Sequence, residues 1–368
     1  MYLQEFHGIR VAGMACAVPN HYEKLQDYAQ YFPEGEVERF CSATGIYGKY
    51  SGTGVGVTAA DLGVVAAERI FEAFDIDRKT IDGLIFVTQT PDYHTPPTAC
   101  VIQYRLGLEN CGLVYDSNIG CTGFPFGIQM ACANLAVGCE KVLLIVGDSD
   151  TNRRTDHVTK DSLLFGDAVV AIVLEKTKED VTPIHVGIHT IGAGYQALFT
   201  PYGMKRHPLQ DLYAERGEEY ALRCNNACFM KGSDVFTFSI KDAPKTAKAF
   251  YERFNCSADC YDLISIHQAN KMIVENVAKR IKAPMEKVPV TFDRFGNTRG
   301  ASTAINICDY AQRTGIYSGN KKILNLAFGI GLNVVLADLD LDMSRCLPLI
   351  KTTEAFDDGI TNFTDFEE

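Results

Sequence analysis

The 368-residue chain contains no tryptophan, no Cys-x-x-Cys pair, no block of like charge and no apolar run of membrane-spanning length. Each absence removes a class. A papain-type protease would place a Trp beside its nucleophilic cysteine and would carry paired disulfides. The thirteen cysteines are odd in number and lie scattered through apolar segments, so they read as buried, reduced thiols. Lysine and arginine total 35 against 46 aspartates and glutamates, giving a net charge of −11. That balance disfavours nucleic-acid binding, which needs a basic field. The longest apolar stretches, 142–146 and 168–174, are strand-length and far too short to cross a bilayer. Residues 1–7 show no basic region followed by an apolar run, so the expectation is a cytoplasmic protein without a signal peptide.

What is present is a large apolar fraction, 46%, ample for an extensive core. Residues 61–74 carry helical periodicity, with Asp61 placed to cap, and 81–88 read as a buried strand. A helix over about 122–138 leads to a strand at 141–147, and this alternation predicts a parallel or mixed sheet covered by helices. A weak internal repeat accompanies it. Asp82–Gln89 resembles Asp262–Gln268, and Lys141–Gly147 resembles Lys322–Gly329. Gly120-Cys121-Thr122 parallels Gly296-Asn297-Thr298, at a similar offset of about half the chain. The expectation is two related halves, 1–178 and 179–368, with a site drawing on both. The stretch 195–228 fits the repeat poorly and reads as an inserted loop or cap. The acidic tail from Thr352 to Glu368 reads as frayed.

Three residues stand out chemically. Cys121 lies between glycines where a strand ends and a helix begins, so its thiol meets the helix N-terminus, whose dipole and free N–H groups favour the thiolate. The competing reading is a packed cysteine. His267 follows an apolar strand and precedes a helix, facing the crevice where α/β sheets bind ligands; a structural histidine is the alternative. Asn297, in Phe295–Ser302, opens another helix and in isolation is an ordinary cap.

Together the motifs say more. Thr44-Gly45-Ile46, Thr90–Thr98, Gly120–Phe124, Phe165–Ala168, His267-Gln268-Ala269-Asn270, Gly296-Asn297-Thr298 and Phe328–Gly331 occur in this order along the whole chain. In this they resemble the 3-oxoacyl-ACP synthase III family of condensing enzymes. The resemblance implies a thiolase-like α/β fold of two pseudo-symmetric halves in α-β-α-β-α layers. It implies a decarboxylating condensation of a Cys121-bound acyl group with malonyl-ACP, initiating fatty-acid synthesis. Cys121 would be the nucleophile, and His267 and Asn297 would hydrogen-bond the malonyl thioester oxygen. Backbone N–H groups of Cys121, Gly329 and Ile330 would hold the second oxyanion. Phe328 would flank the malonyl carboxylate, where an apolar neighbour favours neutral carbon dioxide. No metal or redox cofactor is implied, only acyl thioesters, acyl-CoA among them. An acyl carrier protein partner and a homodimer are implied as well.

The chain also departs from the family. Where family members have a Trp and an Arg that grip coenzyme A, Arg39 and Ala43 stand here, followed by Lys49. The carrier-docking Arg aligns with Met272, next to Lys271. Thr95 replaces a Phe that lines the acyl pocket across the dimer in some members, leaving room for a longer or branched chain. Because the chain is acidic, carrier docking calls for a local basic patch. Lys241, Lys245 and Lys248 recur at helical spacing, on a helix read as starting at Asp242 with Pro244 in its first turn, and Lys271 adds to them. A starter ketosynthase of a secondary-metabolite or surface-polysaccharide pathway would keep the same three residues. A non-catalytic partner subunit would lose the nucleophile, which is intact.

Overall fold

The computed structural model describes residues 1–151, 158, 160–224 and 227–360. In chain order the principal elements are β1 (Tyr2–Phe6), β2 (Ile9–Pro19), α1 (Ala59–Phe74), β3 (Gly83–Val87), α2 (Thr98–Arg105), β4 (Leu113–Ser117), α3 (Gly123–Val137), β5 (Lys141–Asp148), β6 (Ala168–Lys176) and β7 (Ile184–Thr190). There follow β8 (Leu198–Phe199), α4 (Leu209–Arg216), α5 (Glu218–Cys224), β9 (Phe229–Met230), α6 (Gly232–Phe254), β10 (Leu263–Ile266), α7 (Lys271–Arg280), α8 (Ser302–Thr314), β11 (Asn320–Gly329), β12 (Asn333–Asp342) and β13 (Ile350–Thr352).

Two mixed sheets result, ordered β13-β2-β6-β5-β3-β4 and β1-β7-β12-β11-β10. The runs β2-β6-β5-β3 and β7-β12-β11-β10 share one pairing scheme: antiparallel, antiparallel, parallel. The terminal strands cross over, β1 joining the second sheet and β13 the first. Alternation along the strands assigns side chains to layers. On β6, residues 168, 170, 172 and 174 face the core between the sheets, while 169, 171 and 173 face the outer core under α1 and α2. Helices α3 and α8 lie between the sheets, and α6 and α7 cover the second sheet. Helix α3 carries no charged residue, as befits a helix buried on nearly all sides.

Three expectations change. The α1 cap is Thr58, and Asp61 answers it as the third helical residue of a capping box; Asp61 also receives Arg105 at 2.8 Å. The helix expected to begin at Asp242 runs from Gly232 with Pro244 inside it. Its apolar face, Phe238, Ala243, Ala247 and Phe250, is buried on the second sheet, and that burial outweighs the roughly 3 kcal/mol cost of an internal proline. The tail does not fray at Thr352. Phe356 N–H donates to Asp61 at 3.1 Å, Tyr93 donates to Asp358 at 2.6 Å, and Arg105 stacks on the Phe356 ring. Residues 361–368 lie outside the described part.

Candidate active site

Cys121 sits in the turn that opens α3, closed by a 2.7 Å bond from Gly123 N–H to the Gly120 carbonyl. Thr122 ties this turn to the other half, donating to the Asn333 side chain at 2.8 Å. Against Cys121 lies the end of β11. A Cβ on Gly329 would stand 2.5 Å from the Cys121 Cβ and 3.0 Å from its sulfur, so only glycine permits this approach. The Ile330 N–H is directed at the thiol.

The thiol's electrostatics differ from the sequence expectation. Burial pushes the Cys121 pKa up to about 11, and the Arg299 charge and the Ile330 N–H only partly offset it. The reason is dielectric. Cys121 is 7% exposed, and losing water disfavours the anion more than one helix end favours it.

His267 closes β10, its N–H donating to the Leu326 carbonyl at 2.9 Å. Its Nδ1 meets the Ser302 hydroxyl at 2.6 Å, leaving Nε2 for a substrate. Burial drives its pKa down to about 4, so the ring is neutral near pH 7. The Phe328 ring stands edge-on to it, centroids 5.5 Å apart.

Asn297 is not the helix cap: the 3-10 turn Arg299–Ala301 that leads into α8 has Thr298 in that position. It lies in a loop laced to residues 164–166, with Asn297 N–H to the Leu164 carbonyl at 2.9 Å and Gly166 N–H to the Asn297 carbonyl at 3.2 Å. Gly296 adopts φ +63°, which lets the backbones approach this closely. The Asn297 Oδ1 accepts the Arg299 N–H at 2.9 Å, so the amide nitrogen is free to donate elsewhere. Gly300, from the same loop, abuts the Gly120 carbonyl. Cys121, His267, Asn297, Phe328, Gly329 and Ile330 are thus gathered by shared neighbours.

The remaining candidates sit elsewhere. Thr95 is exposed on the loop between β3 and α2. Lys241, Lys245 and Lys248 are exposed along α6, which packs on α7; Lys271, at the start of α7, lies against Gly45. Lys49 is buried and bonded to Glu23 at 3.5 Å. Strands β8 and β9 pair as a small antiparallel ladder, with α4 and α5 in the stretch between them. Cys228, just before β9, is close enough to Cys121 to contribute to the raised pKa of its thiol.

Sequence reasoning misses Ser302, Arg299, the buried carboxylate Asp148 and the partly buried Asp150. Arg299 is 9% exposed and paired with Asp150. Its signal is a charged residue within an otherwise small and polar loop.

Models of the 3-Oxoacyl-[acyl-carrier-protein (ACP)] synthase III family match residues 115–192, and of its C-terminal part residues 252–338. A beta-ketoacyl-[acyl-carrier-protein] synthase III of Xylella fastidiosa is 32% identical over 323 residues, 88% of this chain and 95% of that protein. A 3-oxoacyl-(acyl-carrier protein) synthase structure from Burkholderia xenovorans superposes with TM-score 0.84 at 28% identity, covering 95% of this chain and 99% of that one. The priming beta-ketosynthase of the R1128 polyketide pathway superposes with TM-score 0.77 at 25% identity, covering 93% and 98%.

Proposed function

Because this chain belongs to the 3-oxoacyl-ACP synthase III family, with its thiolase-like fold and condensing acyltransferase activity, we propose that Cys121, His267 and Asn297 carry out the condensation that initiates fatty-acid synthesis. The observation that carries this assignment is the packing of Gly329 and Ile330 onto Cys121, beside Phe328 and His267.

Cys121 attacks an acyl thioester, and its proton leaves with the departing thiol. Malonyl-ACP then enters. The Ser302 hydroxyl donates to His267 Nδ1, which leaves the proton on Nε2. Nε2–H and the Asn297 amide donate to the malonyl thioester oxygen. As the bond to the carboxylate breaks, carbon dioxide departs and its bonding electrons pass onto that oxygen, where two donors stabilise them. The enolate attacks the acyl-Cys carbonyl, with the Cys121 and Ile330 N–H groups holding the oxyanion and Gly329 leaving it room. The sulfur is expelled and 3-oxoacyl-ACP forms. Phe328 keeps the carboxylate end apolar.

The exposed lysines of α6, with Lys271, supply the basic face for an acidic carrier. The acyl donor is a CoA or carrier thioester, and the reaction takes place in the cytoplasm; no helix among the described residues could cross a membrane. β4 ends its sheet with half-buried side chains and an unpaired edge, and two copies pair there as a homodimer, bringing the Thr95 loop to the junction. The halves 1–178 and 179–368 each contribute to the site.

Three substitutions test the assignment. Cys121→Ala abolishes acylation. His267→Ala and Asn297→Ala still acylate, as read by mass spectrometry, but lose malonyl decarboxylation by roughly 10²–10⁴ in rate. A His267→Ala enzyme that condenses at the parent rate would refute it.

A further inference from the structure

Arg299 is a buried charge beside the site that this mechanism leaves unused. Its backbone has φ +47°, a left-handed conformation that side-chain-bearing residues seldom adopt. Its N–H donates to the Asn297 carboxamide oxygen at 2.9 Å. The side chain is held at one edge and one face. Its Nη2 pairs with Asp150, and the guanidinium carbon lies 4.2 Å from the centre of the Phe165 ring. Both anchors belong to the N-terminal half. Asp150 is itself fixed, its N–H donating to Asp167 at 2.9 Å, and Asp167 also accepts the Gly52 N–H at 2.8 Å. Phe165 bridges directly to Asn297. Burial alone would lower the Arg299 pKa, but Asp150, Asp148 and Asp167 hold it above the ordinary value, so the cation is permanent. A continuous chain therefore runs Asp167, Asp150, Arg299, Asn297.

We propose that Arg299 is a positioning residue for malonyl decarboxylation: its guanidinium, clamped between Asp150 and Phe165, holds the strained loop that aims the Asn297 carboxamide. The inference rests on the role assigned to Asn297 above. It differs from a purely backbone account in one respect. If only the left-handed conformation mattered, glycine would serve as well or better, because it adopts that conformation freely and keeps the N–H.

The test measures carbon dioxide release from malonyl-ACP by the full-length enzyme. Arg299→Gly lowers kcat by about tenfold to a hundredfold, the range for a catalytic group misplaced by roughly 1 Å, while KM stays within about twofold. The paired variant Arg299→Gln with Asp150→Asn, which removes the ion-paired carboxylate along with the cation and leaves only Asp148 and Asp167 without it, shows the same split and keeps a cooperative thermal transition. In an Asn297→Ala background, Arg299→Gly costs nothing further, because the group it positions is gone. Parent-rate decarboxylation by Arg299→Gly overturns the proposal, as does a loss that persists undiminished in the Asn297→Ala background. If Asn297→Ala alone decarboxylates at the parent rate, the assignment of Asn297 fails, and that result is read without any Arg299 variant.

Discussion

Substituting Gly329 by alanine tests the packing on which the site depends. The added Cβ would lie 2.5 Å from the Cys121 Cβ and 3.0 Å from its sulfur. Carbon atoms settle at about 3.5–4.0 Å, so the overlap is at least roughly 1 Å. Neither partner yields easily. Cys121 is held by the Gly123–Gly120 bond at 2.7 Å and, through its neighbour, by Thr122 on Asn333 at 2.8 Å. Gly329 ends a strand paired along its length with β12. Overpacking of this kind costs about 1–3 kcal/mol of stability. A nucleophile displaced by roughly 1 Å loses on the order of 10² in rate. Gly329→Ala should therefore fold with a lowered melting temperature and acylate Cys121 about a hundredfold more slowly. The assay is single-turnover acylation by a small carrier-free thioester, followed by intact-protein mass. A variant that acylates within about twofold of the parent, while Cys121→Ala takes up no acyl mass, would show that Gly329 does not press on the nucleophile.

Further outcomes follow from the same geometry. Because burial holds the Cys121 pKa at about 11, the iodoacetamide alkylation rate should climb about tenfold per pH unit from neutrality toward 11, and a plateau near pH 7 would contradict this. His267 is buried neutral, its pKa lowered from 6.5 to about 4, so the unfolded chain binds a proton in that window and the folded one does not. Stability present above 6.5 is thus lost as pH falls to 4, by about 3 kcal/mol; denaturant melts of the parent minus His267→Asn should show this slope, and parallel curves would refute it. Exchanging Lys245 and Lys248 for Glu should raise KM for malonyl-ACP in a salt-dependent way and leave acylation by a carrier-free thioester unchanged; equal losses with both substrates would assign the lysines to the fold. Truncation after Thr352 removes the Phe356–Asp61 and Tyr93–Asp358 bonds and should lower the thermal midpoint; an unchanged midpoint would make these tail contacts passive.

Much of the molecule is legible in its amino-acid order. The alternation of apolar strands with amphipathic helices determines the α/β class, because a strand's period of two and a helix's of 3.6 are written in local order. The ordered motifs from Thr44 to Gly331 determine the family, and the helix after Cys121 and the strand before His267 are readable from their own residues. What the amino-acid order alone does not determine depends on groups distant along the chain. A helix N-terminus beside Cys121 points to a thiolate, but the balance lies with burial by β11, some two hundred residues away. Pro244 signals a helix start, yet the buried face of α6 carries the helix through it. The tail reads as acidic and loose, yet Arg105, Asp61 and Tyr93 bind it. Arg299 is plain in the sequence as a near neighbour of Asn297. Only the tertiary structure brings Asp150 and Phe165 to its side chain, because a buried charge is decided by the partners that surround it and not by the residues beside it in the chain.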